Sequence, residues 1–383
     1  MKIRKTLSKK KIILVANDPG GGKIINLLSN KLSKKFKVIC FLSGSSKKIF
    51  KNKNLSKKYF SNKTNIDLIK NKILKIAPSL IITAAGTYNL LEHNVRILAK
   101  KQNIKTISIN DSWFEYGSRF RRTINNKTRY SVPDWIFTMD KYSKREIKKD
   151  LDKINKTNYF ITGNLSLEIS SKLKKIRKSN NKIKKIIFFS DAILSNDKNL
   201  PSNEGSCLDK RGNSIFGYFP HQILDKLLTI LERMAVKLNR KIIFIIKPHP
   251  REQFTNLNKV ARKFINSRLL KIILDKNSSP HELISKSDLI TGMASIALLE
   301  SFLYKKPTLS IQINLQKKFI KEDPCIANTL GWSMPCNTEK QLNKRINEFL
   351  LGCFKTNKNF KKIQYKGSID KTLKKIYDII NKN

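Results

Sequence analysis

The chain is short of acid. Across 383 residues only 28 Asp and Glu stand against 79 Lys and Arg, a formal charge of +51. Such an excess ordinarily points to nucleic acid or an anionic membrane. Here the lysines run along the whole chain among abundant Asn and Ile, which reads as compositional drift rather than a built patch. No aromatic-interleaved basic motif and no zinc-finger spacing accompanies them, so no specific nucleic-acid partner is expected. Weak attraction to the inner face of a membrane is compatible with the charge.

Other absences narrow the field further. No apolar run approaches the ~20 residues of a membrane span. Ile12–Ala16 is too short for a secretory core segment, so a cytoplasmic protein is expected, with peripheral contact at the inner membrane. Five cysteines (Cys40, Cys207, Cys325, Cys336, Cys353) are scattered without metal-ligand spacing and read as reduced thiols. His-Glu-x-x-His, Gly-x-Ser-x-Gly and clustered Cys/His sets are missing, which removes the common zinc and serine-hydrolase chemistries. No metal and no resident cofactor is called for.

What is present is alternation of strand and helix. In the first half, strands at Lys11–Ala16, Val38–Leu42, Leu80–Thr83, Thr106–Ile109 and Pro133–Thr138 alternate with helical periods at Lys23–Leu32, Ile66–Ile76, Leu90–Lys101 and Lys141–Leu151. A lysine-rich polar stretch around Lys172–Lys185 precedes a second series starting at Lys185–Ser190. The pattern predicts an α/β chain of two facing Rossmann-like doubly wound parallel-sheet domains, residues 1–170 and 171–383, the second carrying the C-terminal helix.

Ligands of such sheets bind beyond the carboxyl ends of the strands, and the chemistry-bearing residues gather there. The strand Ile242–Ile246 delivers Lys247, His249 and Arg251. The segment Ser287–Glu300 reads as strand, small-residue turn and helix, with Thr291, Gly292, Met293, Ala294 and Ser295 at an open helix N-terminus fit for a phosphate. Glu300, five residues on, is placed to accept hydrogen bonds from a ribose, and Ser190 to donate to a phosphate. These residues form the expected donor-side set. His281, after Pro280, reads as a cap or surface group, and Asp191 as a turn cap.

In the first half, Gly20, Gly21 and Gly22 follow the first strand. Asn17 stands where a P-loop would need its first glycine and Ile24 follows Lys23, so they let a ligand or phosphate approach the backbone without making a P-loop. Gly86 lies in the loop after another strand. After Ile109 come Asp111, Trp113, Glu115, Tyr116 and Arg119 within ten residues. Transfer to a hydroxyl needs a base, which Asp111 or Glu115 can supply, and aromatic faces suit sugar rings. Asn164 ends a further strand. Gly20–Gly22, Gly86, Trp113, Tyr116, Arg119 and Asn164 form the expected acceptor-side set.

With these residues in view, the chain resembles the GT-B glycosyltransferase superfamily, and within it the capsule and surface-polysaccharide transferases, sialyltransferase-like and CDP-glycerol glycerophosphotransferase-like proteins. Lys247-Pro248-His249-Pro250 resembles the His-Pro motif of bacterial sialyl- and polysialyltransferases. Gly292–Ser295 stands at their Ser/Thr motif with one serine instead of two. Glu115-Tyr116-Gly117 resembles their acidic-acidic-Gly motif with Tyr in the middle, which leaves Asp111 and Glu115 equal candidates for the base.

The resemblance implies a metal-independent, inverting glycosyl transfer. The nucleotide-sugar donor would be held mainly by the second domain and a saccharide or lipid-linked acceptor by the first, with His249 stabilising the leaving phosphate. Two alternatives stay open. One is an inactive GT-B-like binding or scaffold protein in polysaccharide assembly. The other is a UDP-sugar 2-epimerase, whose Thr-Gly-Thr-Arg-Pro-Glu signature is replaced here by Asn17-Asp18-Pro19-Gly20.

Overall fold

A computed structural model describes residues 9–382 other than 51–53, 62–63, 87–89, 114–115, 125–126, 155, 173–182, 192–207, 210, 250–251, 253, 320–322 and 357–359. The chain divides into two compact units, Met1–Ile169 with Ile363–Asn383, and Ser170–Lys362.

The first unit begins with β1 (Lys11–Ala16), α1 (Pro19–Leu32), β2 (Lys37–Leu42), β3 (Ser56–Tyr59), α2 (Ile66–Ile76), β4 (Leu80–Ala84), α3 (Leu90–Lys101) and β5 (Thr106–Ile109). An antiparallel ribbon, β6 (Arg121–Ile124) with β7 (Lys127–Tyr130), interrupts the alternation, and β8 (Trp135–Thr138), α4 (Lys141–Leu151), β9 (Asn158–Ile161) and the start of α5 (Leu165–Lys172) complete it, the residues of α5 from Ser170 on belonging to the second unit. Seven strands form one sheet in the order β3-β2-β1-β4-β5-β8-β9, every pairing parallel.

Buried parallel strands need apolar residues on both faces, and β1 shows why Ile-Ile-Leu-Val-Ala suffices. Ile12, Leu14 and Ala16 pack on one face with α1, while Ile13 and Val15 pack on the other with α2 and α3.

The second unit runs β10 (Lys184–Phe189), α6 (Pro220–Lys237), β11 (Ile242–Lys247), α7 (Thr255–Arg262), β12 (Leu270–Leu274), α8 (Pro280–Lys286), β13 (Leu289–Gly292), α9 (Ile296–Leu303), β14 (Thr308–Ile311), α10 (Ile326–Thr329), β15 (Met334–Cys336) and α11 (Glu339–Leu351). Its six strands are ordered β12-β11-β10-β13-β14-β15, again all parallel. The core beneath α6 and α11 is contiguous, with Phe188, Phe244, Leu227, Leu231, Leu342 and Ile346 in it.

Two sequence expectations change. The C-terminal helix, α12 (Ser368–Asn381), belongs to the first unit, not the second. Its apolar stripe, Ile369, Leu373, Ile376 and Ile380, packs in the same cluster as Ile12 and Leu14. The glycines expected as a turn before a helix at Lys23 are instead the first turn of α1, which opens at Pro19. Proline suits that position because its missing N–H would have no intrahelical partner. Glycine inside a helix costs about 0.5–1 kcal/mol relative to Ala, and close packing explains its use. A Cβ at Gly21 would stand 2.4 Å from the Ala84 Cβ, and one at Gly22 3.1 Å from the Ser46 Cβ.

Candidate functional site

Sheet register lines up the site residues within each unit. In the second unit, Phe189 lies beside Lys247 of β11 on one side and Gly292 of β13 on the other. The continuations Ser190–Asp191, Pro248–His249 and Met293–Ser295 therefore emerge side by side at the carboxyl edge. Gly292 is required there, since a Cβ would meet the Phe189 carbonyl oxygen at 2.8 Å.

The helix N-terminus at this edge differs from the open anion seat the sequence suggests. The Ala294 N–H donates to Asp191 Oδ2 at 2.7 Å, and the Ala297 N–H to Ser295 Oγ at 3.4 Å. A carboxylate of the chain itself thus sits where a phosphate was expected. Burial raises the Asp191 pKa to about 6 against the lowering effect of that N–H. Beside it, Glu252 accepts from the His249 N–H at 3.3 Å. Burial raises its pKa to about 7, with Ser190 and the His249 N–H opposing and Asp191 adding to the rise.

The other donor-side residues divide. Lys247 donates to the Lys276 carbonyl at 2.7 Å, and burial lowers its pKa against the pull of Asp275. Thr291 is buried and spends its hydroxyl on the Ile187 carbonyl, while Met293 is core. Glu300 is buried too, accepting from Ser170 Oγ at 2.9 Å with His281 Nε2 at 3.9 Å. The residue expected to accept from a ribose thus has one carboxylate oxygen engaged by Ser170, and His281, expected as a cap or surface group, lies beside it. Arg251 lies outside the described residues.

The first unit has a corresponding edge. Val15 of β1 lies beside Thr83, and Ala84 beside Ile109, so Asp18, Ala85–Gly86 and Asn110–Asp111 leave neighbouring strands together. Asp111 Oδ1 is 3.5 Å from Arg119 Nη1, which also donates to the Ala85 carbonyl. A Cβ at Gly20 would stand 2.8 Å from Asp111 Oδ2, so the first turn of α1 passes directly against this carboxylate. Burial pushes the Asp111 pKa up, and the Arg119 guanidinium pulls it down.

Behind Asp111 lies a pair that sequence reading missed. Glu92 on α3 accepts from the Gly86 N–H at 2.9 Å and lies 3.7 Å from Arg96 Nη1. Burial raises its pKa to about 8, with Arg96 opposing and Asp18 and Asp111 contributing to the rise. Arg96 in turn donates to the Arg119 carbonyl at 3.0 Å and to the Ser131 carbonyl at 2.8 Å. Two ordinary charged residues four apart on a helix carry no sequence signal of such a role.

Of the remaining acceptor-side residues, Trp113 donates its indole N–H to Asp140 Oδ2 at 2.6 Å, which fixes its ring, and Tyr116 packs against the cluster around Phe120 and Ile147. Asn164 is buried, accepting from the Leu167 N–H at 2.7 Å and donating to Met139 Sδ at 3.2 Å. It caps α5, so its side chain serves the fold rather than a ligand. Glu115 lies outside the described residues. Among the described residues no group of three or more His, Cys, Asp or Glu is placed to hold a metal, and no helix is long and apolar enough to cross a membrane.

The sequence matches no protein-family model and no curated protein. Solved structures do match along nearly the whole chain. The UDP-GlcNAc 2-epimerase from Methanocaldococcus jannaschii aligns with a TM-score of 0.62 at 14% identity, covering 96% of this chain and 99% of that one. The UDP-GlcNAc 2-epimerase from Neisseria meningitidis, bound to UDP-GlcNAc, gives 0.62 at 12%, covering 96% and 100%. Anabaena HepE, in complex with UDP and glucose, gives 0.51 at 11%, covering 90% and 89%. At these identities the likeness is one of fold: two parallel-sheet α/β domains of the GT-B type, shared with enzymes of nucleotide sugars.

Proposed function

We propose that the chain is an enzyme of nucleotide-activated sugars that transfers a sugar, or a related group, to an acceptor hydroxyl in surface-polysaccharide synthesis. The observation that carries this reading is Asp111. It is a carboxylate at a strand end, held by Arg119, pressed against the glycine turn of α1, and raised in pKa by burial. A general base works best when its pKa is moved toward the working pH. Asp111 takes the acceptor proton, with Glu115 as the other candidate, and Trp113 offers an aromatic face to the sugar.

The second unit holds the donor by its phosphates. His249, the Ala294–Ser295 segment and the Ser190 hydroxyl meet the charge that develops on the leaving group, the kind of fixed stabilisation that dominates many transfer reactions. The finer kinship with sialyl- and polysialyltransferases rests on the motif residues and is part of this proposal. A saccharide or lipid-linked acceptor, and weak contact with an anionic membrane face, fit the basic charge.

A second reading, UDP-sugar 2-epimerisation, has one observation in its favour. Asp18 and Glu92 converge on Gly86, where a Cβ would meet their carboxylate oxygens at 2.8 and 3.2 Å, and Asp111 adds to the rise in the Glu92 pKa. Proton removal and return at a carbon needs more than one acid–base group.

One experiment separates the readings. The protein is incubated in D2O with UDP-, CDP- and CMP-activated sugars and candidate saccharide acceptors. Transfer releases nucleotide, forms a new glycosidic bond and leaves sugar C2 unlabelled. Epimerisation retains the nucleotide and places deuterium at C2. Binding of a nucleotide sugar with neither outcome assigns the chain to the inactive binding class.

A further inference from the structure

The carboxyl edge of the second unit contains a contradiction that its chemistry must resolve. The segment entering α9 offers backbone N–H groups and a helix dipole, the usual furniture of an anion site. Yet Asp191 Oδ2 already takes the Ala294 N–H at 2.7 Å. Asp191 comes from the end of β10, and Ala294 from the end of β13, neighbours in the sheet but 103 residues apart in sequence. The geometry is that of an anion already in its seat, supplied by the protein.

The surroundings make that seat costly. Glu252, on the segment after β11, lies close enough that Asp191 raises its pKa. Tyr218, just ahead of α6, is buried and pushed up partly by Asp191 as well. From β13 and α9 the group facing Asp191 is the neutral Ala294 N–H. Lys247, at the end of β11, directs its ammonium to the Lys276 carbonyl. A diphosphate arriving beside Ala294 and Ser295 would meet two carboxylates within a partly dehydrated edge, where like charges repel far more strongly than in water.

We propose that Asp191 is an intramolecular competitor for the donor phosphate: its carboxylate takes the Ala294 N–H, just ahead of the α9 N-cap Ser295, and must be displaced or protonated before a phosphate can take that N–H. The inference rests on the donor-binding reading above and adds to it a residue that governs when the donor binds. Asp191 ties the end of β10 to the segment entering α9 and makes occupancy sensitive to proton concentration. Because Glu252 titrates in the same region, it contributes to that sensitivity with the same sign.

The test uses the full chain and two pyrophosphate diesters, UDP-GlcNAc and CDP-glycerol, whose phosphates do not titrate near neutrality, with uridine and cytidine as phosphate-free controls. Titration calorimetry at pH 7.5 compares wild type with Asp191→Asn, which keeps a side-chain oxygen for the Ala294 N–H while removing the charge. The expected result is binding of at least one diester on the order of tenfold tighter in the variant, with nucleoside affinity unchanged. Wild-type affinity should also rise as pH falls from 8 to 5.5, and more steeply than in the variant. Equal or weaker diester binding in a variant that melts like wild type overturns the inference and leaves the donor reading standing. Failure of both diesters to bind either protein overturns the inference, and with it a donor reading for UDP- and CDP-activated groups. If Asp191→Asn melts early, the wild-type pH series decides alone: an affinity that is flat or falls toward pH 5.5 overturns the proposal.

Discussion

Each sheet carries a part-buried carboxylate at its carboxyl edge, Asp111 after β5 and Asp191 after β10, and the two are held by different means. In the first unit Asp111 sits beside a guanidinium, Arg119, itself held by Arg96 through its carbonyl. In the second, Asp191 accepts, among the described residues, from the Ala294 N–H, with Glu252 nearby. A charge partner fixes both the position and the ionisation of a carboxylate. A lone N–H fixes position but leaves the charge costly. The first arrangement suits a group that must stay in place and exchange a proton, and the second a group that yields its seat.

The largest effect that would break this contrast is on turnover. Asp111→Asn should lower the rate of transfer by about a hundredfold to ten-thousandfold, the range for a lost general base, whereas Asp191→Asn should lower the donor KM and keep the rate at saturating donor. His249→Ala should cost about a hundredfold or more if its imidazole stabilises the leaving phosphate. Steady-state rates on the three variants decide it, and an Asp111→Asn enzyme at wild-type speed would move the base elsewhere.

Next in size is stability in the first unit. Arg96→Met leaves Glu92 in the interior without its cation and frees the Arg119 carbonyl, so a loss of about 3–5 kcal/mol is expected, as for other broken buried pairs. Denaturant titration measures it, and a loss below about 1 kcal/mol would show the pair to be dispensable. Smaller still is Gly21→Ala. Its Cβ would overlap Ala84, and overpacking of this kind costs about 1–3 kcal/mol, read as a lower melting temperature.

A further effect concerns pH. Glu92 has an ordinary unfolded pKa of 4.5 and a folded one raised to about 8. Between those values the folded state holds a proton the unfolded state lacks, so stability falls as pH rises through the window. Asp191 and Glu252, raised to about 6 and about 7, act in the same direction. Glu92→Gln should flatten the slope of melting temperature against pH between 5 and 8, and an unchanged slope would place the titrating group elsewhere.

Much of the fold could be read from the chain because buried parallel strands are nearly continuous apolar runs, as Ile12–Ala16 and Ile242–Ile246 are. The ribbon of β6 and β7 escaped, since Arg-Arg-Thr-Ile and Lys-Thr-Arg-Tyr have neither run nor alternation. The C-terminal helix was expected, but an amphipathic stripe such as Ile369, Leu373, Ile376 and Ile380 does not say which sheet it will cover. At the site, the strand ends were legible and their lateral register was not. Asp191 reads as a turn cap until β10 and β13 are laid side by side, and the bond from Ser170 to Glu300 shows only once those residues are brought together. Pairings across a hundred residues have no local signal.

The account turns on the second unit gripping an activated sugar by its phosphates. Thermal denaturation across a panel of nucleoside mono- and diphosphates, each at about 100 times its dissociation constant, tests this directly, since such a ligand stabilises by about 2.7 kcal/mol. The account predicts a clear rise in melting temperature with at least one phosphate-bearing nucleotide and none with its nucleoside. No rise with any nucleotide, or an equal rise with the bare nucleoside, would contradict it.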